Sequence, residues 1–373
     1  MTLDRVAVVS SAQTELRTAW SGAQHIDLIS AVVAQVFKGT GLTLDDVDFV
    51  IDSGSDVLDG RSISNCGFLG ALGAHHKEEA RVEEDGLFAA MYGVNKIRGM
   101  SGGVGLIVAY SKPSESSVDL FWASQVEPFY QRPVGFGHAA ANGIQAQRYL
   151  AKSGVSEADL ARLVAKRWAA AAANGGVQID SVPSEADVLG SPDAALPLKQ
   201  LMMARPVDGA VAVLVASEEI ARRVSRRPVW VTGMGTSMDS HSFAARGSDG
   251  LASCEAAAKM AFKKAGWSTP KPSVAEVSAS TAVTELMVLE GLGLAEKGKG
   301  LAVAEGKGGI SVNLSGGALP ADPIMATGLV RLSQAYRQLA TPECYGLDAP
   351  VSAVVHGAGG VGMQTHCVFT LEV

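Results

Sequence analysis

The chain has 373 residues, 47% apolar and 18% charged, with 42 glycines; that length exceeds one average core and implies two or three packed units. A net charge of −7 and a pI near 5.6 exclude a broadly basic surface, and with it a nucleic-acid or anionic-membrane partner. No signal-peptide pattern opens the sequence and no apolar run reaches spanning length. The four cysteines (Cys66, Cys254, Cys344, Cys367) show no CxxC pair, so a cytoplasmic α/β protein without disulfide frame or zinc site is expected.

In chain order, RVAVVS (5–10) reads as a strand, DLISAVVAQVF (27–37) as an amphipathic helix stopped at Gly39, and VDFVI (47–51) as a second strand. Residues 60–80 are glycine-dotted and irregular, with Cys66 and the pair His75–His76. Asp85 then caps a helix, GLFAAMYGVNKIR, and VGLIVAY (104–110) is a buried-type strand. From Lys112 to about Met203 the composition shifts to loops and amphipathic helices. The clearest helix follows Ser156, with Asp159 completing a capping box. VDGAVAVLVA (207–216) returns to strand character.

The pattern then starts again. VWVTG (229–233) echoes the first strand, residues 252–265 the first helix, and VAEVS (274–278) the second strand. NLSGGALPADPIMATGLVRLSQAYRQL (313–339) sits where the Asp85 helix sat. Its Gly316–Gly317 entry offers a platform for an anion or oxyanion, with Asp322 as helix N-cap and Pro323 at the first helical position. VSAVVHG (351–357) and HCVFTLEV (366–373) close the second copy. Self-similarity on this scale implies two β-α-β-α-β halves, with two capped helices central and both N-termini facing one site.

With these residues in view, the chain resembles the thiolase superfamily along essentially its whole length. NLSGGALPADPIMATG is similar to the family's Asn-Pro-Ser-Gly-Gly … Gly-His-Pro … Gly-Ala-Thr-Gly signature, and HGAGGVG (356–362) to its terminal glycine loop. VAEVSASTAVTELMVLEGLGL resembles the sterol-carrier-protein-type Ala-Glu-Leu-His-Asp segment. The resemblance implies a five-layer αβαβα fold with an N-terminal half at 1–111 plus 204–225, an inserted loop domain covering acyl-CoA at 112–203, and a C-terminal half at 226–373. It further implies a coenzyme A thioester as substrate or ligand, no metal in this chain, and a dimer through the thiolase interface.

Carried over residue by residue, the resemblance implies a degenerate site. Glu83 falls at the nucleophilic cysteine, Asp322 at the Gly-His-Pro histidine and Ser278 at the third-motif histidine or asparagine. Only His356 keeps a proton-transfer group, beside Gly359 and Gly360, which with Gly316 and Gly317 are the expected ligand-binding glycines. A carboxylate forms no thioester intermediate, so the family's acyl-cysteine route is closed here. His138 lies in the insert, and Arg132 and Arg162 are candidates for coenzyme A phosphates.

Two functions follow as expectations. One is the non-nucleophilic subunit of a hetero-oligomeric thiolase, paired with a cysteine-bearing subunit. The carboxylates Glu78, Glu79, Glu83, Glu84 and Asp85 would oppose their copies in a homodimer, which favours a different partner. The other is an acyl-CoA aldolase, a carbon–carbon lyase or condensing enzyme working by proton transfer and an oxyanion hole. A separate zinc-ribbon/OB-fold protein is a further expected partner.

Overall fold

The computed structural model describes residues 5–100, 102–247 and 250–373. Its main sheet has ten strands: β1 (Val6–Gln13), β2 (Phe49–Ser53), β3 (Glu78–Val82), β4 (Val104–Ser111), β5 (Gly209–Ser217), β6 (Val229–Met238), β7 (Val274–Val277), β8 (Ser311–Val312), β9 (Ser352–Gly359) and β10 (Thr365–Glu372). The long helices are α1 (His25–Val36), α2 (Gly86–Met100), α3 (His138–Ser153), α4 (Glu157–Asn174), α5 (Ala252–Ala265), α6 (Ala282–Gly291) and α7 (Thr327–Ala340).

The strand order is β8-β7-β9-β10-β6-β1-β5-β4-β2-β3. Each half therefore runs third-second-fourth-fifth-first, with parallel pairs around its second strand and antiparallel pairs beyond its fourth. The halves meet where β1 pairs antiparallel with β6 at Ala7–Trp230 and Val8–Val229. The repeat read from the sequence is thus a repeat of topology.

Period-two alternation gives each strand two buried faces. Val6, Val8, Ile51, Ile107, Val213, Val355 and Phe369 turn inward onto α2 and α7, forming the central core. Ala7, Val9, Val50, Leu106 and Leu214 turn outward under α1. Val354 and Val368 do the same under α5 and α6. The result is the five-layer αβαβα arrangement. No helix among the described residues is long and apolar enough to cross a membrane.

The central helices cross at their first turns because those turns carry glycine. A Cβ on Gly86 would lie 2.7 Å from Leu329 Cβ, and one on Gly328 would lie 1.9 Å from Asp85 Oδ1. Asp85 caps α2 as expected, its Oδ1 accepting from the Leu87 N–H at 3.0 Å. The Ser156–Asp159 capping box on α4 also forms.

The start of α7 differs from expectation. Pro323 precedes a 3-10 turn, Ile324–Ala326, and the α-helix begins only at Thr327 behind Ala326. Asp322 is therefore not its N-cap. The glycine platform is also closed. Gly316 (φ +98°) packs against Ala171 of α4 and Gly317 (φ +71°) against Asn313, leaving no room even for a Cβ. Asn313 accepts from Val277 N–H at 2.8 Å and donates to Glu285 at 3.0 Å, and Ser315 donates to Glu276 at 2.6 Å. The Asn-Leu-Ser-Gly-Gly run is a buried brace that lines none of the cavities described below.

Candidate active site

Three adjoining cavities lie where Trp122 and its neighbours pack over the C-terminal ends of β7 and β9 and the start of α7. The smallest, about 30 Å³, is lined by Ser278, Ser280, Asp322, Thr327, Gly359, Gly360 and Met363, with Trp122 from the insert. Toward the insert it adjoins a cavity of about 1000 Å³ that shares Trp122, Ser280, Asp322 and Ile324 and is walled by His138, Trp168 and Arg205. On the other side of Gly359–Gly360 lies a third, of about 460 Å³, reaching Glu83, Glu84 and His241.

Asp322 occupies the junction. Its carboxyl accepts a short hydrogen bond from the Thr327 hydroxyl and is further held by the Ile324 N–H. It keeps some exposure through the cavities it lines, yet burial pushes it up to about 6, more than the Thr327 and Ile324 bonds and the Arg331 charge pull it down. Ser278 shares the small cavity. Its N–H donates to the His356 carbonyl at 3.1 Å, and its buried hydroxyl has no hydrogen-bond partner among the described residues. The strand of β9 ends here, so Gly359 and Gly360 present backbone to both the small cavity and the third one.

The remaining sequence candidates are placed differently. Glu83 is exposed at the edge of the third cavity, accepting from Asp56 N–H at 2.7 Å and from Arg81 Nε at 3.2 Å. The carboxyl that turns inward is that of Glu84. It lies against Gly359, where a Cβ would sit 1.9 Å from Oε1, and accepts from the Thr365 hydroxyl at 3.2 Å. Burial raises Glu84 above the ordinary carboxylate range, outweighing its hydrogen bonds from Asp85 N–H and Thr365. Glu83 and Glu84 thus both border the third cavity, Glu84 as the more buried of the two.

His356 is fully buried and lines none of these cavities. Within β9 it shares the parity of Val354, which faces α5 and α6, and its Nε2 lies 2.8 Å from His366 Nδ1. Burial, then the neighbouring His366, hold it well below the usual histidine range, so it is neutral. The positions on β9 that reach the cavity are Ala358 and Gly359, two and three residues on at the strand's end. His138 does line the large cavity, stacked on Trp122 with ring centroids 3.8 Å apart, and burial lowers it to about 4. Arg132 also borders that cavity, whereas Arg162 pairs with Asp159 and Glu305 at the surface.

None of the four cysteines lines the cavities described. Cys66 and Cys344 are exposed, and Cys254 and Cys367 are buried. Cys367 approaches the start of α2, its Sγ 3.8 Å from the Leu87 carbonyl. Burial, then the Asp85 and Glu84 carboxyls, raise it well above the usual thiol range. A thiol held protonated is no nucleophile.

The crowded carboxylates near β3 are each engaged within the chain: Glu78 with Lys96, Glu79 with Asn65, Glu83 with Arg81, Glu84 with Thr365 and Asp85 with Gly328. Their number alone therefore gives no reason for a dissimilar partner. Trp122 and Met363 are not among the sequence candidates, and Glu84 enters only as one of the crowded carboxylates. The amphipathic turn SSVDLFWAS, inside the segment expected to cover the site, was the available signal for Trp122.

The doubly repeated five-layer fold, with cavities gathered near the start of α7, is a thiolase-like arrangement. Residues 235–372 match the family described as Thiolase C-terminal domain-like, and the resemblance to the thiolase superfamily stands. The benzoylsuccinyl-CoA thiolase subunit BbsB of Thauera aromatica is 28% identical over 227 residues, 58% of this chain; the match spans 59% of that relative's length. Among solved structures, the Ltp2-ChsH2(DUF35) aldolase superposes with a TM-score of 0.83 at 19% identity, covering 100% of this chain and 99% of that one. Human mitochondrial 3-ketoacyl-CoA thiolase superposes with a TM-score of 0.74 at 17% identity, covering 100% of both chains. Its complex with CoA gives the same TM-score and identity, with 100% of this chain and 98% of that one covered. At these identities the structures establish the fold.

Proposed function

We propose that this chain is an acyl-CoA carbon–carbon lyase or condensing enzyme that dispenses with an acyl-cysteine. The observation that carries the reading is the small cavity shared by the Asp322 carboxyl, with its value near 6, and the unpartnered Ser278 hydroxyl. In the cleavage direction the Asp322 carboxylate takes the hydroxyl proton of a 3-hydroxyacyl-CoA. The C2–C3 bond breaks, a carbonyl forms at C3, and the electron pair moves into the thioester as an enolate. Ser278 Oγ–H and the Gly359–Gly360 backbone are the donors for the enolate oxygen. Asp322 then returns its proton to C2, releasing a shorter acyl-CoA, so the proton count closes without a nucleophile. The large cavity beside Trp122 and His138 has the size for the thioester arm.

The aldolase relative is named together with a DUF35 protein. A separate small zinc-ribbon/OB-fold protein is the corresponding partner proposed here, together with a dimer through the sheet edge at β3. The second reading, a non-nucleophilic subunit beside a cysteine-bearing one, draws on the Thauera aromatica relative being a thiolase subunit. The test is cleavage of 3-hydroxyacyl-CoA thioesters by the purified chain, alone and with a co-expressed DUF35 protein. Loss of about 10²–10⁴-fold in Asp322→Asn supports the lyase reading. Activity that appears only with a cysteine-bearing thiolase subunit, and survives Asp322→Asn, supports the subunit reading.

A further inference from the structure

Beneath the glycine loop, outside the cavities of the proposed site, Cys254 of α5, His356 of β9 and His366 of β10 converge. One ligand-capable atom from each lies within 4.8 Å of the other two, and all three side chains are fully buried. Their wide separation in sequence hid them from any motif of metal-ligand spacing. Only the pairing of β9 with β10 beneath α5 assembles them.

His366 Nε2 lies 3.0 Å from the Met363 carbonyl, which can only accept, so that nitrogen carries the proton and Nδ1 presents its lone pair to the cluster. A backbone carbonyl that fixes the tautomer from behind is the usual outer support of a metal-bound histidine. His356 Nε2 faces that lone pair at 2.8 Å, while its other nitrogen, Nδ1, is buried with no partner among the described residues. Of the four ring nitrogens, then, only His356 Nδ1 is left without a partner among the described residues.

We propose that Cys254, His356 and His366 form a buried three-ligand site for one thiophilic d¹⁰ ion, Zn(II) or Cu(I). A thiolate with two imidazoles suits these ions and is a poor match for Mg(II) or Ca(II), which take oxygen ligands. Bonds of about 2.0–2.3 Å set ligand atoms roughly 3.3–3.8 Å apart, so the imidazoles part slightly and the sulfur draws in. The ion replaces the proton of the thiol, and that proton leaves to solvent as the chain folds around the metal. Binding ties α5 to the β9–β10 hairpin. The turn of that hairpin carries Gly359, Gly360 and Met363, so the metal acts as a rivet behind the wall of the cavity and takes no part in chemistry. Such a rivet is independent of the reaction proposed above.

The experiment is metal analysis of the full chain, produced without chelator or metal-affinity resin in media supplemented with zinc or with copper under reducing conditions. The expected result is stoichiometric zinc or copper, reduced at least tenfold in Cys254→Ser and in His366→Gln, with a lower Tm in both. Cobalt supplied during growth is expected to give a thiolate-to-cobalt absorption band in the wild-type chain, a readout that holds even if the variants fold poorly. A chain that stays metal-free in both media and shows no thiolate band with cobalt overturns the proposal. So does a metal that remains bound in both variants.

Discussion

Asp85 Oδ2 accepts a 2.6 Å hydrogen bond from the Gly328 N–H, joining the first turns of the two central helices across 243 positions of sequence. The other oxygen of the same carboxyl caps its own helix through Leu87. One side chain thus serves two helix starts, where unpaired N–H groups and both dipoles favour an acceptor. Gly328 must lack a side chain for this to happen. Gly328→Ala would put a methyl group 1.9 Å from Asp85 Oδ1 and 2.9 Å from Leu87 Cβ. The expected outcome is destabilisation of about 1–3 kcal/mol, as for other overpacked cores, measured by urea unfolding.

The same carboxyl carries a pH signature. Burial, reinforced by the nearby Glu84 and Asp322 carboxyls, raises Asp85 from 3.8 to about 8 against the pull of its two backbone donors. A carboxyl raised on folding contributes stability that is full below its unfolded value and is lost as pH rises through its folded one. Between pH 4 and 8 the native chain should therefore lose stability with rising pH. Asp85→Asn gives up one acceptor, costing about 1–3 kcal/mol at low pH, but lacks that titration. Denaturation across this range should show the gap between wild type and variant narrowing toward pH 8; a constant gap would contradict the assignment.

Glu83 and Glu84 offer a contrast of neighbours. Removing Glu83 loses exposed pairing with Arg81 and should cost at most about 1 kcal/mol, with turnover within twofold of wild type. Removing Glu84 takes away the carboxyl beneath Gly359 and its bond to Thr365, so Glu84→Ala should lower kcat through a loosened glycine loop. Paired turnover and Tm measurements on the two variants check this. Equal loss of kcat in both would sink the distinction.

Much of the fold was legible because both halves obey the same alternation of strand and helix, and the strand order repeats with them. The helix at Thr327–Ala340 shows where legibility ends. Leu329, Leu332 and Leu339 mark its apolar stripe, but Arg331, Gln334 and Gln338 are buried as well. Arg331 meets Glu276 at 3.0 Å, Gln338 donates to Glu276 at 2.8 Å and Gln334 donates to Gln13 at 3.1 Å. Partners contributed by distant strands leave no local pattern, and a helix packed between the two halves of the sheet leaves only Arg337 exposed.

The site was legible in part for a related reason. Asp322 and Ser278 were reached by position within motifs, and both line the same cavity. His356 was also reached by position, yet it lies two residues short of the strand end that lines the cavity. The alternation of VSAVVHG puts Ala353 and Val355 on the inner face and Val354 and His356 on the outer, but gives no measure of where along the strand the cavity begins. Glu84 was hidden because adjacent acids at a strand end look alike until one of them turns inward.

The most direct test of the proposed chemistry is the pH dependence of 3-hydroxyacyl-CoA cleavage in wild type and Asp322→Asn. A general base must be ionised, so kcat/KM for the wild type should rise with pH through an apparent value near 6 and level off above it. In Asp322→Asn that limb should vanish along with about 10²–10⁴-fold of the rate. The folded protein should be no less stable than wild type at pH 7, because a carboxyl raised by burial costs stability once ionised. A variant that keeps both its rate and its acid limb would contradict the role given to Asp322.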